Sequence, residues 1–333
     1  MGWKKKAVIF LLPLVLYGAF KYIKANFLIF VLAFNLLSPR LPFQVYKELN
    51  PDINDFATSN DQILEEYDFV VVGAGSAGAV VANRLSENKS WKVLLLEAGG
   101  TENILSEIPG VFFNLVPTEL NWGFKTQPNE DKLTSTLMQD GRVIWPRGRV
   151  LGGSSAVNAM LYTRGNKKDY DLWHKLGNDG WSYENVLHYF KKSEDVKIND
   201  LKDTKYHSTD GELTVSQPTE KPKLFDEIIQ ACKEVLSFNA DYNGEKQTGC
   251  FHYQYSIRNG QRCSTAKAFL KPKRSNLHVS PLSLVQKINI DPETKRVTGV
   301  LYKKGGKLAT VAARKEVILS AGVLQSPQVC VEI

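Results

Sequence analysis

Apolar and polar positions along the chain fall into short segments of different period. Asp68–Val72 is a β-branched apolar run with no polar face, the pattern of a strand buried on both sides. It leads into glycines at 73, 75 and 78, after which Ala79–Leu85 reads as the start of a helix. Lys92–Leu96 is a second apolar strand, and it ends at an acid, Glu97. Farther on, Tyr170–Glu194 carries Trp173, Trp181, Tyr189 and Phe190 at helical spacing, a stripe that predicts core or a domain interface. Glu212–Val215 alternates like a strand and Leu224–Leu236 repeats like a helix. Leu277–Ile290, Arg296–Tyr302, Lys307–Ala312 and Glu316–Ser320 read as strands. The order of elements predicts an α/β fold. Its opening strand–turn–helix–strand unit is Rossmann-like with a parallel sheet, and the later elements mix helices and strands in α+β fashion.

Outside these segments the patterning is different. Lys4–Lys6 followed by Ala7–Phe20 has the basic and apolar regions of a secretory signal, and a second apolar run covers Ala25–Leu37. Residues 1–37 are therefore expected to be a signal peptide or a signal anchor, with membrane contact through 7–37 in the second case. Residues 38–66 mix Pro, Asn, Asp and Ser and read as a linker. Thr101–Asp140 is long for a connection and rich in proline, as expected of a segment that wraps a ligand or forms a lid.

The glycine segment carries specific chemistry. Gly73 allows a tight turn, Gly75 leaves the backbone open to a pyrophosphate, and Gly78 lets the helix pack closely on the strand. The helix N-terminus offers N–H groups and a partial positive charge to phosphates. Glu97, about 20 residues on, accepts from ribose hydroxyls. Strand, glycine turn, helix, strand and acid in this order predict a bound dinucleotide, and the fingerprint alone leaves NAD and FAD both open.

Charge narrows the partners. The chain has 42 Lys and Arg against 35 Asp and Glu, a formal net charge of +7. Lys4, Lys5, Lys6, Lys21, Lys24 and Arg40 precede any acid, so the rest holds 36 bases against 35 acids, a net of +1. No nucleic-acid partner is expected from that balance. Cys232, Cys250, Cys263 and Cys330 show no metal-binding spacing, so no metal site is expected; a Cys250–Cys263 pairing is left open. Asn88–Lys89–Ser90 is the one glycosylation sequon.

Trp145–Gly165, WPRGRVLGGSSAVNAMLYTRG, adds a second glycine cluster ahead of a helix start. GRVLGGSSAVN with YTRG resembles the first signature of the glucose–methanol–choline (GMC) family of FAD-dependent oxidoreductases. DLWHKLGNDGWSYENVLHYFKKSE, HSTDGELTVS, NGQRCSTAKAFLKP, RSNLHV and KEVILSAGVLQSP resemble later family blocks in family order. The likeness covers about Tyr67 to Pro327 and is strongest to the insect glucose-dehydrogenase branch. It implies an FAD-binding domain made of residues 67–160 and 275–333, with residues 161–274 as an incomplete substrate domain between them. By that resemblance Gly73, Gly75, Ser76, Ala77 and Gly78 lie along the FAD pyrophosphate and Glu97 binds the ribose. Arg149, Gly152, Gly153, Ser154, Asn158 and Ala159 line the flavin side. Val285 meets the adenine through its backbone, and Ala321 and Gly322 form the turn after the closing strand. Val157 stands where some members tether the flavin to histidine, which implies non-covalent FAD.

The resemblance also implies oxidation of the CH–OH group of an alcohol or sugar, with quinone or oxygen as acceptor. A histidine near neutrality serves such a reaction as the base. His174, His188, His207, His252 and His278 all sit in helix, turn or strand patterns that explain them structurally. The family's base is expected beyond Ile333, so the chain has no assigned catalytic residue. The alternative expectation is an FAD-binding fragment that catalyses nothing. The signal-like start predicts a secreted or lumenal protein, membrane-anchored if residues 1–37 are retained.

Overall fold

The computed structural model describes residues 63–128, 141–218, 223–271 and 274–331. The signal or anchor segment and most of the linker lie outside the described residues.

Strand β1 (Glu66–Val72) emerges with six of its seven residues buried, as its unbroken apolar run demands. Phe69 and Val71 enter one core cluster with Val93, Leu95 and Ala79. Val70 and Val72 enter the cluster on the other face with Leu94, Leu96 and Val300. Helix α1 (Ser76–Leu85) starts three residues earlier than the apolar pattern suggests, because Gly75 itself is its N-cap. Strand β2 (Val93–Leu96) is fully buried beside β1 and parallel to it.

Next come helix α2 (Ile104–Glu107), held by a capping box between Asn103 and Ser106, and a ribbon of β3 (Phe124–Lys125) with β4 (Ile144–Trp145). Helices α3 (Lys167–Lys175) and α4 (Tyr183–Ser193) follow, then β5 (Glu194–Val196) paired parallel to β6 (Leu213–Val215). Helix α5 (Lys223–Lys233), the hairpin β7 (Ile257–Arg258) with β8 (Gln261–Arg262) and helix α6 (Thr265–Phe269) complete the middle.

The chain then returns to the main sheet with β9 (Leu277–Ser280), β10 (Ser283–Ile290), β11 (Val297–Lys304) and β12 (Lys307–Leu319), and helix α7 (Gly322–Val331) follows. The six-stranded sheet has the order β10-β11-β12-β1-β2-β9. β12, β1, β2 and β9 run parallel, while β10 and β11 extend the sheet antiparallel on the far side of β12. This is the α/β class with a Rossmann-like parallel centre.

Three sequence expectations are corrected. The single strand read over Leu277–Ile290 breaks at Pro281 and Leu282, where Leu282 has φ 56° and its N–H bonds to the Gly99 carbonyl. Lys307–Ala312 and Glu316–Ser320 are one strand, β12, whose first half pairs with β11 and whose second half pairs with β1. The aromatic stripe of Tyr170–Glu194 is not core. Tyr170 packs edge-on to Trp173 and Phe190, but Trp173, Trp181 and Tyr189 are exposed and α3 buries no residue.

Cys250 bonds to Cys232, not to Cys263. The C-terminal end of α5 brings Cys232 beside the short bridge between Phe238 and Cys250. Cys263 is instead buried against Phe269 as a free thiol.

Candidate functional site

The site forms where β1 turns into α1. Gly73 sits at φ 93°, a conformation that side chains disfavour, and a Cβ there would lie 2.6 Å from the Ser320 carbonyl oxygen. Gly78 faces the same turn, and a Cβ on it would meet the Gly73 carbonyl oxygen at 1.9 Å. Both glycines are therefore needed for α1 to approach β1 and the end of β12. Gly75 is different: its φ is −75° and its Cβ position faces only Gly153 Cα, at 3.9 Å. No side chain caps α1 and no acid lies in its first turn, so its leading N–H groups and positive dipole end are left for a ligand.

The second glycine cluster docks on the first. The Gly152 N–H donates to the Ala74 carbonyl at 2.8 Å, and Leu151 N–H donates to Gly100. Gly153, at φ 54°, lies so close that a Cβ would fall 2.6 Å from Gly75 Cα. The two turns thus meet backbone to backbone, with no side chain between them.

A cavity of about 880 Å³ opens over this junction. Gly73, Gly75, Ser76, Ala77, Glu97, Gly153, Ser154, Val285, Ala321 and Gly322 all line it, so the structure gathers both glycine clusters, the acid and both returning strands on one wall system. The other expected residues are elsewhere. Gly78 acts through packing, as above. Gly152 is buried at the junction, and Arg149 lays its guanidinium 5.0 Å from the Trp122 ring. Asn158 turns toward Arg262, whose Nη1 donates to its Oδ1 at 2.9 Å, while the Met160 N–H donates to the same oxygen at 2.9 Å. Asn158 and Ala159 therefore do not line this cavity.

Sequence reasoning missed Trp122, Arg147, Lys287, Val323, Gln325 and Ser326, which also line it. Arg147 stood inside a quoted motif. Trp122 lay in the lid-like stretch, and nothing in its local pattern marks it. Gln325 and Ser326 belong to the first turns of α7, whose N-terminal end joins that of α1 at the cavity.

Glu97 is the acid of the fingerprint, and its backbone continues β2. Its Oε2 accepts from the Ala74 N–H at 2.9 Å and its Oε1 from the Gly99 N–H at 2.8 Å. Burial pushes its pKa up to about 7, against the pull of those N–H donors and of Arg149. The carboxyl thus spans the turn after β1 and the turn after β2, and it titrates near neutrality.

Among the described residues no histidine lines the cavity. His278 pairs its Nδ1 with the Tyr67 hydroxyl at 2.7 Å, and burial lowers its pKa. His207, a turn residue by its sequence pattern, is buried: Nδ1 lies 2.9 Å from Glu194 Oε2 and Nε2 lies 3.0 Å from Asp241 Oδ2. Arg164 completes that cluster at 2.9 Å from Glu194. Among the described residues no group of three or more His, Cys, Asp or Glu is placed to hold a metal ion.

Comparison with known proteins gives a consistent result. A family model for GMC oxidoreductases matches residues 67–331. A glucose dehydrogenase (FAD, quinone) of Drosophila pseudoobscura pseudoobscura is 45% identical over 267 residues, 79% of this chain and 42% of that protein. The mitochondrial choline dehydrogenase of Mus musculus is 39% identical over 277 residues, covering 79% of this chain and 44% of its own length. Among solved structures, a pyridoxine 4-oxidase from Mesorbium loti superposes with a TM-score of 0.71 at 29% identity, covering 78% of this chain and 50% of that one. A formate oxidase of Aspergillus oryzae gives a TM-score of 0.69 at 26% identity, covering 80% and 47%. The chain spans less than half the length of the curated relatives it matches.

Proposed function

The chain belongs to the GMC oxidoreductase family, and from that premise we propose that it binds FAD non-covalently for the oxidation of CH–OH groups in alcohols or sugars. One observation carries the reading. Two glycine turns meet without side chains at Gly75 and Gly153, under a cavity that also holds Glu97 and the uncapped end of α1.

These residues fit the group. The clear space at Gly75 admits a pyrophosphate against the backbone, and the first-turn N–H groups of α1 supply donors for its charge. Glu97 supplies carboxylate oxygens for ribose hydroxyls. The backbone of Val285, at the start of β10, offers an edge for the adenine. Bound there, FAD supplies a two-electron acceptor for the hydride of an alcohol carbon. The protein's part would be to hold the dinucleotide along these turns and to exclude water from it. Val157 has no nucleophile, in keeping with non-covalent attachment.

A quinone acceptor and a glucose-like or other small alcohol substrate are supported by the names of the relatives, each of which describes that relative. A second reading, dinucleotide binding without turnover, is favoured by the lack of a cavity-lining histidine among the described residues. Secretion or lumenal residence, with anchoring if residues 1–37 are retained, is supported by the Cys232–Cys250 disulfide and by the exposed Asn88 of the sequon.

The test is an absorption spectrum of the purified chain before and after denaturation, followed by anaerobic addition of glucose and other alcohols. Released flavin with bleaching by an alcohol supports the first reading. Flavin without bleaching supports the second. A chain that carries no flavin and takes up none overturns both.

A further inference from the structure

Beside Glu97 the sheet assembles a cluster that neither the fingerprint nor the family blocks draw on. Ser280 ends β9, Ser283 begins β10, and Lys304 ends β11. Parallel pairing sets Ser280 against Leu96, one residue before Glu97, while antiparallel pairing sets Ser283 against Lys304. The three side chains are thus brought together at the carboxyl end of the parallel strands, where crevices of such sheets take ligands.

Their hydrogen bonds form a chain. Lys304 Nζ donates to Ser280 Oγ at 2.7 Å, and Ser280 Oγ lies 2.9 Å from Ser283 Oγ. Ser280 and Ser283 are each 1% exposed, so neither exchanges these partners for bulk water. The lysine occupies a lone pair of Ser280 Oγ and favours turning the Ser280 hydrogen onto Ser283. The Ser283 hydrogen is then free to point elsewhere. The nearest protein acceptor for it is the Pro281 carbonyl at 3.3 Å, longer than a good O–H···O bond. Ser283 lines the cavity.

The same turn holds Glu97. Ser283 N–H donates to the Glu97 carbonyl at 2.7 Å, and Glu97 N–H donates to the Ser280 carbonyl at 3.0 Å. Between them Leu282 keeps its left-handed φ of 56° with an exposed side chain, a conformation that its own packing does not secure. The hydroxyl chain from Lys304 ties the two ends of this turn together.

We propose that Lys304, acting through Ser280 and Ser283, is a positioning residue for the adenosine end of the cavity. Through the turn that the two serines close, it keeps the Glu97 carboxyl in register for the adenosine ribose. This rests on the dinucleotide reading given above.

The experiment uses the full chain, stripped of flavin, and measures binding of FAD by flavin fluorescence and of ADP by calorimetry. Lys304→Met keeps the aliphatic stem and removes the donor. Binding of FAD and of ADP is expected to weaken by the same factor, roughly tenfold, for loss of the charge-assisted hydrogen bond that holds the turn beside Glu97. Ser283→Ala is expected to weaken both to a similar extent, and Lys304→Arg, which keeps a donor, to restore most of the affinity. The melting temperature of each unliganded variant is read alongside. Unchanged FAD and ADP affinities in Lys304→Met overturn the inference. So does a loss that Lys304→Arg fails to recover or that matches a general loss of folded protein. Failure of the unsubstituted chain to bind FAD overturns the dinucleotide reading itself, a result separate from any comparison of variants.

Discussion

Gly75 and Gly153 face each other asymmetrically: a Cβ on Gly153 would come within 2.6 Å of Gly75 Cα, whereas a Cβ on Gly75 would meet nothing nearer than 3.9 Å. The two glycines are therefore present for different reasons. Gly153 is required by packing and by its φ of 54°, whereas packing leaves position 75 open, as the proposed pyrophosphate site requires.

That difference separates folding from binding. Gly75→Val is expected to fold, because φ is −75° and the space is clear, and to lose FAD affinity by at least a hundredfold, as its branches fill the pyrophosphate position. Gly153→Val is expected to unfold or to melt much lower, since its Cβ collides with backbone. Thermal melts together with flavin titration distinguish the two, and normal FAD binding by Gly75→Val would remove the basis for the site.

Glu97 is expected to make FAD binding depend on pH. In the unliganded fold, burial raises its pKa to about 7. A carboxyl raised above its unfolded value opposes folding increasingly as pH climbs from the unfolded pKa, and the penalty levels off above about pH 7 at roughly 3 kcal/mol. Ribose hydroxyls donate to the ionised form, so FAD affinity is expected to rise roughly tenfold between about pH 6 and about pH 8. Proton release should accompany binding in that interval. Glu97→Gln should flatten the profile, and calorimetry in buffers of different ionisation enthalpy measures the proton count. A wild-type profile already flat over this range would contradict the account.

Much of this site was legible because its parts are local. Gly73, Gly75 and Gly78 with Glu97 lie within one strand–helix–strand unit, where spacing alone constrains geometry. The contributions of Val285, Ala321 and Gly322 came from resemblance to family blocks, and the pairing of β1 with β12 shows why segments so far apart line one cavity. What was illegible depends on long-range packing. The partner of Cys250 is set by the end of α5. His207 is buried against carboxylates from Glu194 and Asp241. The exposed face of α3 shows the opposite failure: a helical aromatic period identifies an amphipathic helix but not what, if anything, covers it.

His207 is expected to be a stability element with a pH window. Burial alone would lower its pKa, but hydrogen bonds and charge from Asp241 and Glu194 outweigh that and raise it. Arg164 also pairs with Glu194, at 2.9 Å. Asp241 is also buried in part, yet its bond to His207 lowers its pKa. The contribution of His207 is full below its unfolded pKa and is lost as pH rises through the raised folded value. That of Asp241 is full above its unfolded pKa and is lost as pH falls through the depressed value. Melting temperature should therefore peak between these limits. His207→Leu should cost about 3–5 kcal/mol, because it leaves the buried Glu194 with Arg164 alone and the half-buried Asp241 without its charged partner. Melts across pH should also show a weaker alkaline decline in the variant, and an unchanged pH profile would refute the assignment.

The disulfide ties α5 to the strand segment at Cys250 over a sequence separation of 18. Helix α5 needs that tie, since Leu224, Ile228 and, just beyond it, Val235 and Leu236 are exposed and contribute little burial. Closing a loop of this length is worth about 3 kcal/mol through the unfolded chain in the entropic account. Replacing both Cys232 and Cys250 with serine should lower the melting temperature, and a reductant should produce the same drop in the unsubstituted protein without further effect on the double variant. Hydrogen exchange should localise the loosening to residues 223–250, leaving β1, β2 and the glycine turns protected and FAD affinity within about twofold, because none of the cavity-lining residues lies in that segment. Expression in a reducing cytosol should yield the two thiols free, and passage through an oxidising compartment should yield the bond. Mass spectrometry of alkylated protein from the two routes reads this directly. Two free thiols after the oxidising route would remove the structural support for a secreted protein while leaving the cofactor site intact.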